Sequence, residues 1–354
     1  MKTFPGNYFE DFELGQTIEH GTPRTFSEGD VSLYIALTGS RFCHHCAEPI
    51  AKKLGFDKVP IDNLLAFHVA FGKTVPDISL NAIANLGYAE VKFNAPSYVG
   101  DTVFVSSKVI GLRENSNGKS GIVYVHSTAN NQLGELAMEW KRWVMVKKKD
   151  STPFSEMNST PDLPTHVSAE QLPLPNFLDF NQFESQYSGS NHLWEDYEIG
   201  EVIDHIDGMT IDESDHTLAT KLYQNNAKVH FNALEMKDSP MGRRLMYGGH
   251  VISICRSLAH NGLANALHIA AINGGTHANP TFAGDTVYCQ SQVVDKWSVD
   301  SSKKVGALRI RMLGFKNTAA SAVKEIKVSK NGKEVYAPEV VLDLDYTALI
   351  PCHD

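Results

Sequence analysis

The chain has 354 residues, of which 42% are hydrophobic and 21% charged, enough for two ordinary globular domains. Its formal net charge of -9 argues against a nucleic-acid surface, because phosphate binding needs clustered lysine and arginine. The sequence contains no apolar run near the roughly 18 residues of a membrane-spanning helix, and its start lacks the apolar stretch of a signal peptide. A cytoplasmic protein without nucleic-acid or membrane partners is therefore predicted.

Residues 1–149 predict a first domain that contains helices followed by a sheet. The polar segment Ser27 to Asp30 precedes the apolar residues of a first helix, and a polar loop with His45 follows. A longer apolar segment, Leu64 to Val75, predicts a second helix. The strands predicted after it are Ala89 to Phe93, Thr102 to Ile110, Gly121 to His126 and Leu136 to Val146.

Residues 150–190 are rich in proline, serine and asparagine, which is typical of a linker. A second domain is predicted over residues 191–354. Its first helix follows Thr210 to Asp215, its polar loop runs from Tyr223 to Asn232, and its long apolar helix runs from Gly249 to Ala264.

The two domains are copies of one unit. Phe9 to Gly15 matches Trp194 to Gly200 at an offset of 185 residues (194 − 9), and His45 matches His230 at the same offset. Further on, Pro96 to Val103 matches Pro280 to Val287 at an offset of 184 (280 − 96). So long a register indicates duplication, and each copy is predicted to wrap a curved antiparallel sheet around one central helix.

The loop and turn of the second copy carry the groups that a hydration or acyl-transfer site needs. His230 lies among amide side chains, and the glycine turn Gly248-Gly249 follows within thirty residues. A histidine titrates near neutral pH, and backbone N–H groups of glycines can stabilise a developing oxyanion. The sequence therefore predicts one site built from this loop and this turn.

The order of elements, with Pro-x-x-x-Gly-Asp-Thr-Val in both copies, resembles the α+β double hotdog fold of the MaoC-like enoyl-CoA hydratases. Those enzymes activate water with an aspartate and a histidine in the motif Ser-Gly-Asp-x-Asn-Pro-x-His. The motif's histidine falls on His230 and its aspartate on Asn225, while the first copy has His45 and Ser40. Both copies keep the histidine, and neither keeps the acid.

A closer resemblance covers nearly the whole chain and is to the mesaconyl-CoA hydratases, also called 2-methylfumaryl-CoA hydratases or β-methylmalyl-CoA dehydratases. The resemblance implies reversible hydration of mesaconyl-CoA to β-methylmalyl-CoA at a single site in the second copy. It implies no metal or redox cofactor, since the CoA belongs to the substrate. The segments that carry it are Glu28–Val31, Phe71–Gly87, Arg142–Val146, Tyr223–Asn225, Val229–Asn232, Tyr247–His250 and Asn261–Leu267.

The predicted chemistry assigns a role to each residue type. His230 activates water or delivers a proton, and the backbone N–H of Gly249 holds the thioester oxygen at a helix start. Further candidates for contacts to water or substrate are Tyr223, Gln224, Asn232, Tyr247, Gly248 and His250. For His250, packing of the helix start is an equally good interpretation.

The amide at Asn225 has a predicted physical reason. Mesaconyl-CoA carries a carboxylate on the carbon that water attacks, so an aspartate at this position would face a like charge. At ~4 Å and an effective dielectric near 20 the repulsion is about 4 kcal/mol. An amide keeps the hydrogen bonds without that charge.

Three arginines are candidate anion ligands. Arg41 is a candidate for the substrate carboxylate if it reaches across the pseudo-twofold axis from the first copy. Arg243 and Arg244 are candidates for the CoA phosphates, because arginine matches phosphate geometry. The pair could equally be a solvated helix flank.

Cys43-His-His-Cys46 looks like half of a metal site, but Cys255, Cys289 and Cys352 supply no second ligand pair, so neither zinc nor a disulfide framework is predicted. Two alternative functions stay open. One is a general (R)-specific enoyl-CoA hydratase, and the other is a non-catalytic acyl-CoA binding module. Because a double hotdog already contains a paired unit, either a monomer or a homodimer is predicted.

Overall fold

The computed structural model describes residues 2–150, 152 and 158–353. In both copies one strand precedes a group of helices, and the remaining strands follow. The helices of the first copy are α1 (Glu28–Thr38), α2 (Cys43–Cys46), α3 (Glu48–Lys53) and α4 (Asn63–Thr74). Those of the second are α5 (Glu213–Leu222), α6 (Lys228–Phe231), α7 (Ala233–Met236), α8 (Gly248–Leu258) and α9 (His260–Leu263).

Within the described residues, ten strands form one antiparallel sheet. The first copy contributes β1 (Thr17–Thr25), β2 (Ala82–Phe93), β3 (Thr102–Glu114), β4 (Ser120–Asn130) and β5 (Leu136–Lys147). The second contributes β6 (Val202–Thr210), β7 (His268–His277), β8 (Thr286–Asp300) and β9 (Val305–Lys316), then a small separate hairpin of β10 (Lys327–Lys330) and β11 (Lys333–Tyr336), and finally β12 (Val340–Pro351).

The strand order shows the duplication directly. It runs β1-β3-β4-β5-β2 through the first copy and then β7-β12-β9-β8-β6 through the second, which is the mirrored order of equivalent strands. The two halves meet where β2 pairs with β7, with Tyr88 opposite Gly275 and Lys92 opposite Ala271. The two copies therefore share one continuous sheet about a pseudo-twofold axis.

The predicted helix starts are confirmed. Ser27 and Asp30 form a capping box at α1, where each side chain accepts a hydrogen bond from the other residue's backbone N–H. Asp212 and Asp215 occupy the equivalent positions at α5, and the Asp212 N–H donates to the Asp215 carboxylate at 3.0 Å. Local capping interactions thus fix the starts of both helices. Each helix precedes a histidine loop, the segment that contains His45 in the first copy and His230 in the second.

The central helices α4 and α8 pack against each other across the pseudo-twofold axis. The His68 Nε2 lies 2.9 Å from the Ser253 Oγ, and these residues are 185 apart (253 − 68). Every residue of α4 is buried. Gly72, near the end of α4, lies so close to Tyr223 that an added Cβ would come within 1.9 Å of the Tyr223 carbonyl oxygen. The end of α4 therefore reaches the histidine loop of the second copy.

One predicted helix is shorter than expected. The sequence predicts a helix from Gly249 to Ala264, but the helix breaks at Asn261 and Gly262, and Gly262 has φ 110°. The Asn261 carbonyl instead accepts a hydrogen bond from the His205 Nδ1 at 2.6 Å. A long-range contact and a glycine with positive φ end the helix there.

The segment between the copies packs on both of them. The Asp179 N–H donates to the Leu54 carbonyl at 3.2 Å, and the Phe180 N–H donates to the Lys303 carbonyl at 2.9 Å. Leu178 and Phe180 are buried. Its order therefore comes from packing.

The domain boundaries 1–149, 150–190 and 191–354 stay a prediction. In the structure, β5 ends at Lys147 and β6 begins at Val202.

Buried histidines make stability depend on pH. Burial lowers the pKa of His205 to about 4 and the pKa values of His250 and His268 to about 3. In the unfolded chain these histidines titrate near 6.5, so below that pH the unfolded state binds more protons and the folded state loses stability. At pH 5.5 each contributes a loss of roughly 1.4 kcal/mol, about 4 kcal/mol for the three.

Urea unfolding at pH 7.5 and pH 5.5 measures this loss. His205→Gln is the matched variant, and its free energy of unfolding is expected to change with pH by about 1.4 kcal/mol less than that of the wild type. A free energy of unfolding that is the same at both pH values would contradict the assignment.

Candidate active site

His230 lies in the short helix α6 with one ring nitrogen fixed and the other free to act. Its Nδ1–H donates to the Leu245 carbonyl at 2.8 Å, and its own carbonyl lies 2.9 Å from the His216 Nε2. Burial lowers the pKa of His230 to about 4, against the opposing effect of the Leu245 carbonyl. The ring is therefore neutral at pH 7, and its Nε2 carries a lone pair that can take a proton.

Asn225 is buried in the wall beside this loop. Its Oδ1 accepts a hydrogen bond from the Ala227 N–H at 3.2 Å, which leaves the Nδ2 hydrogens for a ligand. The preceding Gln224 has φ 51°, and its side-chain oxygen accepts a hydrogen bond from the Lys73 ammonium. The equivalent residue of the first copy is Gly39, with φ 66°. The second copy thus keeps this left-handed turn without glycine, as functional sites often do.

The start of α8 supplies N–H donors. Tyr247 is its N-cap residue and makes no side-chain capping bond. The N–H groups of Gly248 and Gly249 have no acceptor in the described part of the chain, and the helix dipole makes this end attractive to negative charge. The Tyr247 ring lies 5.7 Å from the His230 ring, so these donors and the histidine meet in one place.

Close packing explains both glycines. A Cβ on Gly248 would lie 2.5 Å from the ring of His277, and one on Gly249 would lie 2.5 Å from the ring of Tyr247. Real Cβ atoms do not approach so closely, so a side chain at either position would displace an aromatic ring or the helix start. Glycine keeps the donors accessible and the rings in place.

The first copy has an equivalent histidine, but one of the two equivalent N–H donors is occupied. The His45 Nδ1 bonds the Pro60 carbonyl at 2.9 Å, 15 residues further on (60 − 45), as His230 bonds Leu245 (245 − 230). At the start of α4, however, the Asp62 carboxylate accepts the Leu64 N–H at 2.8 Å. Leu64 is equivalent to Gly249 at the offset of 185. In the first copy the Asp62 carboxylate therefore occupies the position where the second copy would hold a thioester oxygen. This geometry favours the second copy as the active one.

A cavity of about 360 Å³ opens beside Asn225, and both copies line it. The first copy contributes residues from β1 and from the end of α4 to the π-helical turn after it, and the second contributes the histidine loop. Its walls are Gly21, Thr22, Gly72, Lys73, Pro76, Thr220, Lys221, Gln224, Asn225, Asn226 and Phe231. Two lysines make this cavity suited to an anionic substrate.

The other residues predicted from the loop and the turn differ in their placement. Tyr223 is fully buried, and its hydroxyl lies 3.0 Å from the His250 Nδ1. The His250 Nε2 is buried and has no partner in the described structure, so it can still accept or donate a hydrogen bond. Asn232 is exposed and caps α7, because its Oδ1 accepts the Glu235 N–H at 3.2 Å.

Arg41 lies at the other end of α8. The His260 ring hydrogen-bonds the Arg41 backbone, and His260 lies just beyond the last residue of α8. Since α8 has 11 residues, it separates His260 from Gly249 by roughly 15 Å at 1.5 Å per residue. This separation argues against Arg41 as the partner of a carboxylate bound beside His230.

Arg243 and Arg244 line a hollow of about 210 Å³ together with Lys237. Arg244 donates to the Glu213 carboxylate, whereas the Arg243 guanidinium lies 4.0 Å from the centre of the Phe282 ring. The hollow therefore has excess positive charge. It lies next along the chain to Leu245, the residue that anchors His230.

His277 and Tyr88 are site residues that the sequence analysis did not predict. His277 ends β7 with its ring against Gly248, and its Nε2 lies 2.8 Å from the hydroxyl of Tyr88. Burial, with a smaller contribution from the nearby His230, lowers the pKa of His277 to about 4. The strand's alternation could not reveal them, because their contact depends on the pairing of β2 with β7.

In residues 2–150, 152 and 158–353, no group of three or more histidine, cysteine or acidic side chains is arranged to hold a metal ion. The five cysteines are free thiols, and burial raises the pKa of Cys43 to about 11. No helix in the same residues is long and apolar enough to cross a membrane.

Comparison with solved structures defines the class. A MaoC domain dehydratase from Chloroflexus aurantiacus, described as putative, superimposes with a TM-score of 0.95 at 52% identity, and each chain covers 100% of the other. A Mycobacterium tuberculosis protein described as having a double hotdog fold superimposes with a TM-score of 0.72 at 22% identity over 98% of each chain. The predicted α+β double hotdog fold of a MaoC-like protein is thus confirmed.

Sequence relatives define the family. The family described as mesaconyl-CoA hydratase matches residues 3–326. A β-methylmalyl-CoA dehydratase of Chloroflexus aurantiacus is 53% identical over 99% of this chain and 98% of its own length. A mesaconyl-CoA hydratase of Cereibacter sphaeroides is 50% identical over 99% of this chain and 100% of its own. The chain belongs to the mesaconyl-CoA hydratase family and is a hydro-lyase acting on CoA thioesters.

Proposed function

We propose that this protein reversibly hydrates mesaconyl-CoA to β-methylmalyl-CoA at the site in its second copy. One observation carries the assignment of the site: Tyr247, the N-cap residue before the unpaired N–H groups of α8, has its ring 5.7 Å from the ring of the neutral His230. An enoyl thioester needs these two functions, a base for water and donors for the oxygen that becomes negative. The family membership supports the substrate.

Water addition then proceeds with one histidine as base and acid. The His230 Nε2 takes a proton from water as the water oxygen bonds to the β-carbon. The electron pair of the double bond moves toward the thioester carbonyl, and the N–H groups of Gly248 and Gly249 stabilise the enolate oxygen. The protonated His230 then gives its proton to the α-carbon. The net change is OH on the β-carbon and H on the α-carbon.

Asn225 holds the water without adding charge. Its Oδ1 is occupied by the Ala227 N–H, so the Nδ2 donates to the water oxygen and orients its hydrogens toward His230. The substrate's β-carboxylate lies next to the attacked carbon, and a carboxylate at residue 225 would repel it. The hollow at Arg243 and Arg244 receives the phosphates of CoA.

The loss of enoyl absorbance on adding mesaconyl-CoA tests the function, and its return from β-methylmalyl-CoA tests reversibility. Formation of a product heavier by one water, detected by mass spectrometry, completes the assay. Binding of the thioester without any change in absorbance would instead support the non-catalytic binding module.

Gly249→Ala is expected to lower kcat roughly 10²-fold or more, because the new Cβ meets the Tyr247 ring and displaces the oxyanion donor. Steady-state kinetics on mesaconyl-CoA measure the loss. Gly29→Ala is the matched control, since Gly29 is also the second residue of a helix and its Cβ would meet only the Ser27 Oγ, at 3.5 Å. Equal kinetics for Gly249→Ala and wild type would remove Gly249 from the mechanism.

Three further predictions accompany this function. We expect activity without added metal or redox cofactor, which dialysis against chelator followed by the absorbance assay checks. We also expect a cytoplasmic protein and a monomer or homodimer. Light scattering of the purified chain distinguishes the two oligomeric states.

A further inference from the structure

Arg142 is a charged residue on the core face of the first copy's sheet. In β5 the alternate residues Trp140, Arg142 and Val144 are buried, and Arg142 is only 1% exposed. Arg142 is the charged residue in this row of buried side chains, and it places a positive charge against the central helix α4. The apolar residues on either side of it give no reason for a cation at this position.

The guanidinium of Arg142 has few partners. Its Nη2 donates to the Thr74 Oγ1 at 2.8 Å, and its carbon lies 4.2 Å from the centre of the Phe71 ring. Its Nε and Nη1 are buried and have no acceptor in the part of the chain that the structure describes. Burial lowers the pKa of Arg142 to about 10, so the side chain remains charged at pH 7.

Other arginines in this protein are better satisfied. The buried Arg256 donates to the carbonyls of Ala266 and Leu267, which leaves only its Nη1 without a partner among the described residues. Arg309 and Arg311 pair with aspartates on neighbouring strands. A buried charge without a counter-charge is costly, so a group absent from the free protein is expected to complete the surroundings of Arg142.

Two tyrosines, Tyr88 and Tyr247, connect the surroundings of Arg142 with the candidate active site. Tyr88 lies directly opposite Arg142 in the pairing of β2 with β5, and the Tyr88 hydroxyl is 2.8 Å from His277. The Tyr247 ring lies 5.9 Å from the ring of Phe71, on which the Arg142 guanidinium packs, and 5.7 Å from the ring of His230. Arg142 therefore packs among the aromatic side chains that also border His230 and His277.

We propose that Arg142 supplies the positive charge that binds the β-carboxylate of the acyl group and so selects dicarboxylic enoyl-CoA substrates. This inference rests on the proposed hydration of mesaconyl-CoA. With the thioester oxygen on Gly249 and the β-carbon at His230, the β-carboxylate extends past His230. The unpaired N–H groups of Arg142 then supply the donors that a carboxylate accepts.

Arg142→Met and a matched pair of substrates test this inference. The second substrate is (E)-2-methylbut-2-enoyl-CoA, which has a methyl group where mesaconyl-CoA has the carboxylate. In Arg142→Met we expect kcat/KM for mesaconyl-CoA to fall at least about 100-fold, and kcat/KM for the methyl analogue to change less than about threefold. An unchanged ratio of the two values would overturn the proposal.

Two more variants keep the test decisive. Arg142→Lys retains a charge, and its ratio is expected to fall by roughly 10-fold, which also tests the proposal if Arg142→Met does not fold. Arg256→Met alters a buried arginine at the far end of α8 and should leave the ratio unchanged. If wild-type protein does not hydrate mesaconyl-CoA, the proposed function fails. If it does and both Arg142 variants keep the wild-type ratio, only the role of Arg142 fails.

Discussion

Replacing His230 with alanine is expected to lower kcat for mesaconyl-CoA hydration by about 10³-fold, within the range for loss of a general acid or base. We assign the role of base to His230 because its Nδ1–H is fixed on Leu245 and its Nε2 is free. Because the neutral ring contributes little to substrate affinity, KM should change much less than kcat. Stopped-flow or steady-state loss of enoyl absorbance measures both constants.

His45→Ala is the matched control for this prediction. His45 makes the same bond to a carbonyl 15 residues downstream (60 − 45), but its copy has the Asp62 carboxylate on the helix N–H. The variant should keep kcat within about threefold of wild type, since His45 lies in the first copy, outside the proposed site. Equal losses in His230→Ala and His45→Ala would mean that the site does not lie in the second copy alone.

Asn225→Asp is expected to reverse the preference for a substrate carboxylate. A charge at this position would stand roughly 4 Å from the β-carboxylate, a repulsion of about 4 kcal/mol at an effective dielectric near 20, or nearly 10³-fold in kcat/KM. The methyl analogue has no such charge and should be turned over at least as well as by wild type. The ratio of the two kcat/KM values measures the effect.

The same substitution should change the pH dependence. A nearby carboxylate favours the charged imidazolium, so Asn225→Asp is expected to raise the pKa of His230 above its value of about 4. The base works in its neutral form. As the pH is lowered, Asn225→Asp should therefore lose activity on the methyl analogue at a higher pH than the wild type does. Asn225→Ser removes the amide without adding charge and should leave the acid limb in place. Retained turnover of mesaconyl-CoA by Asn225→Asp would contradict the account of the amide.

The sequence was sufficient for the architecture because each relevant signal is local or repeated. The offset of 185 residues aligns the capping boxes of α1 and α5, and the structure confirms both helix starts. The alternation in Leu136 to Val146 correctly predicts β5. The same alternation contained the signal for Arg142, a charge at a core-facing position, which the sequence analysis did not use.

The site could be predicted only in part, because its contacts join distant segments. The repeat pairs Leu64 with Gly249, but the sequence does not show that Asp62 caps the first and that the second stays free. The bond between Lys73 and Gln224 spans 151 residues and depends on the crossing of the two copies. Propensity and motif spacing carry no information on such contacts, which require the packed helices and the shared sheet.

The most direct measurement is the ratio of kcat/KM for mesaconyl-CoA to kcat/KM for (E)-2-methylbut-2-enoyl-CoA, obtained from enoyl absorbance with wild-type protein. Crotonyl-CoA completes the comparison as a simple enoyl thioester. The account predicts a ratio of at least about 100 in favour of mesaconyl-CoA, the size expected for a paired buried charge. Faster turnover of crotonyl-CoA or of the methyl analogue would contradict it and indicate a general enoyl-CoA hydratase.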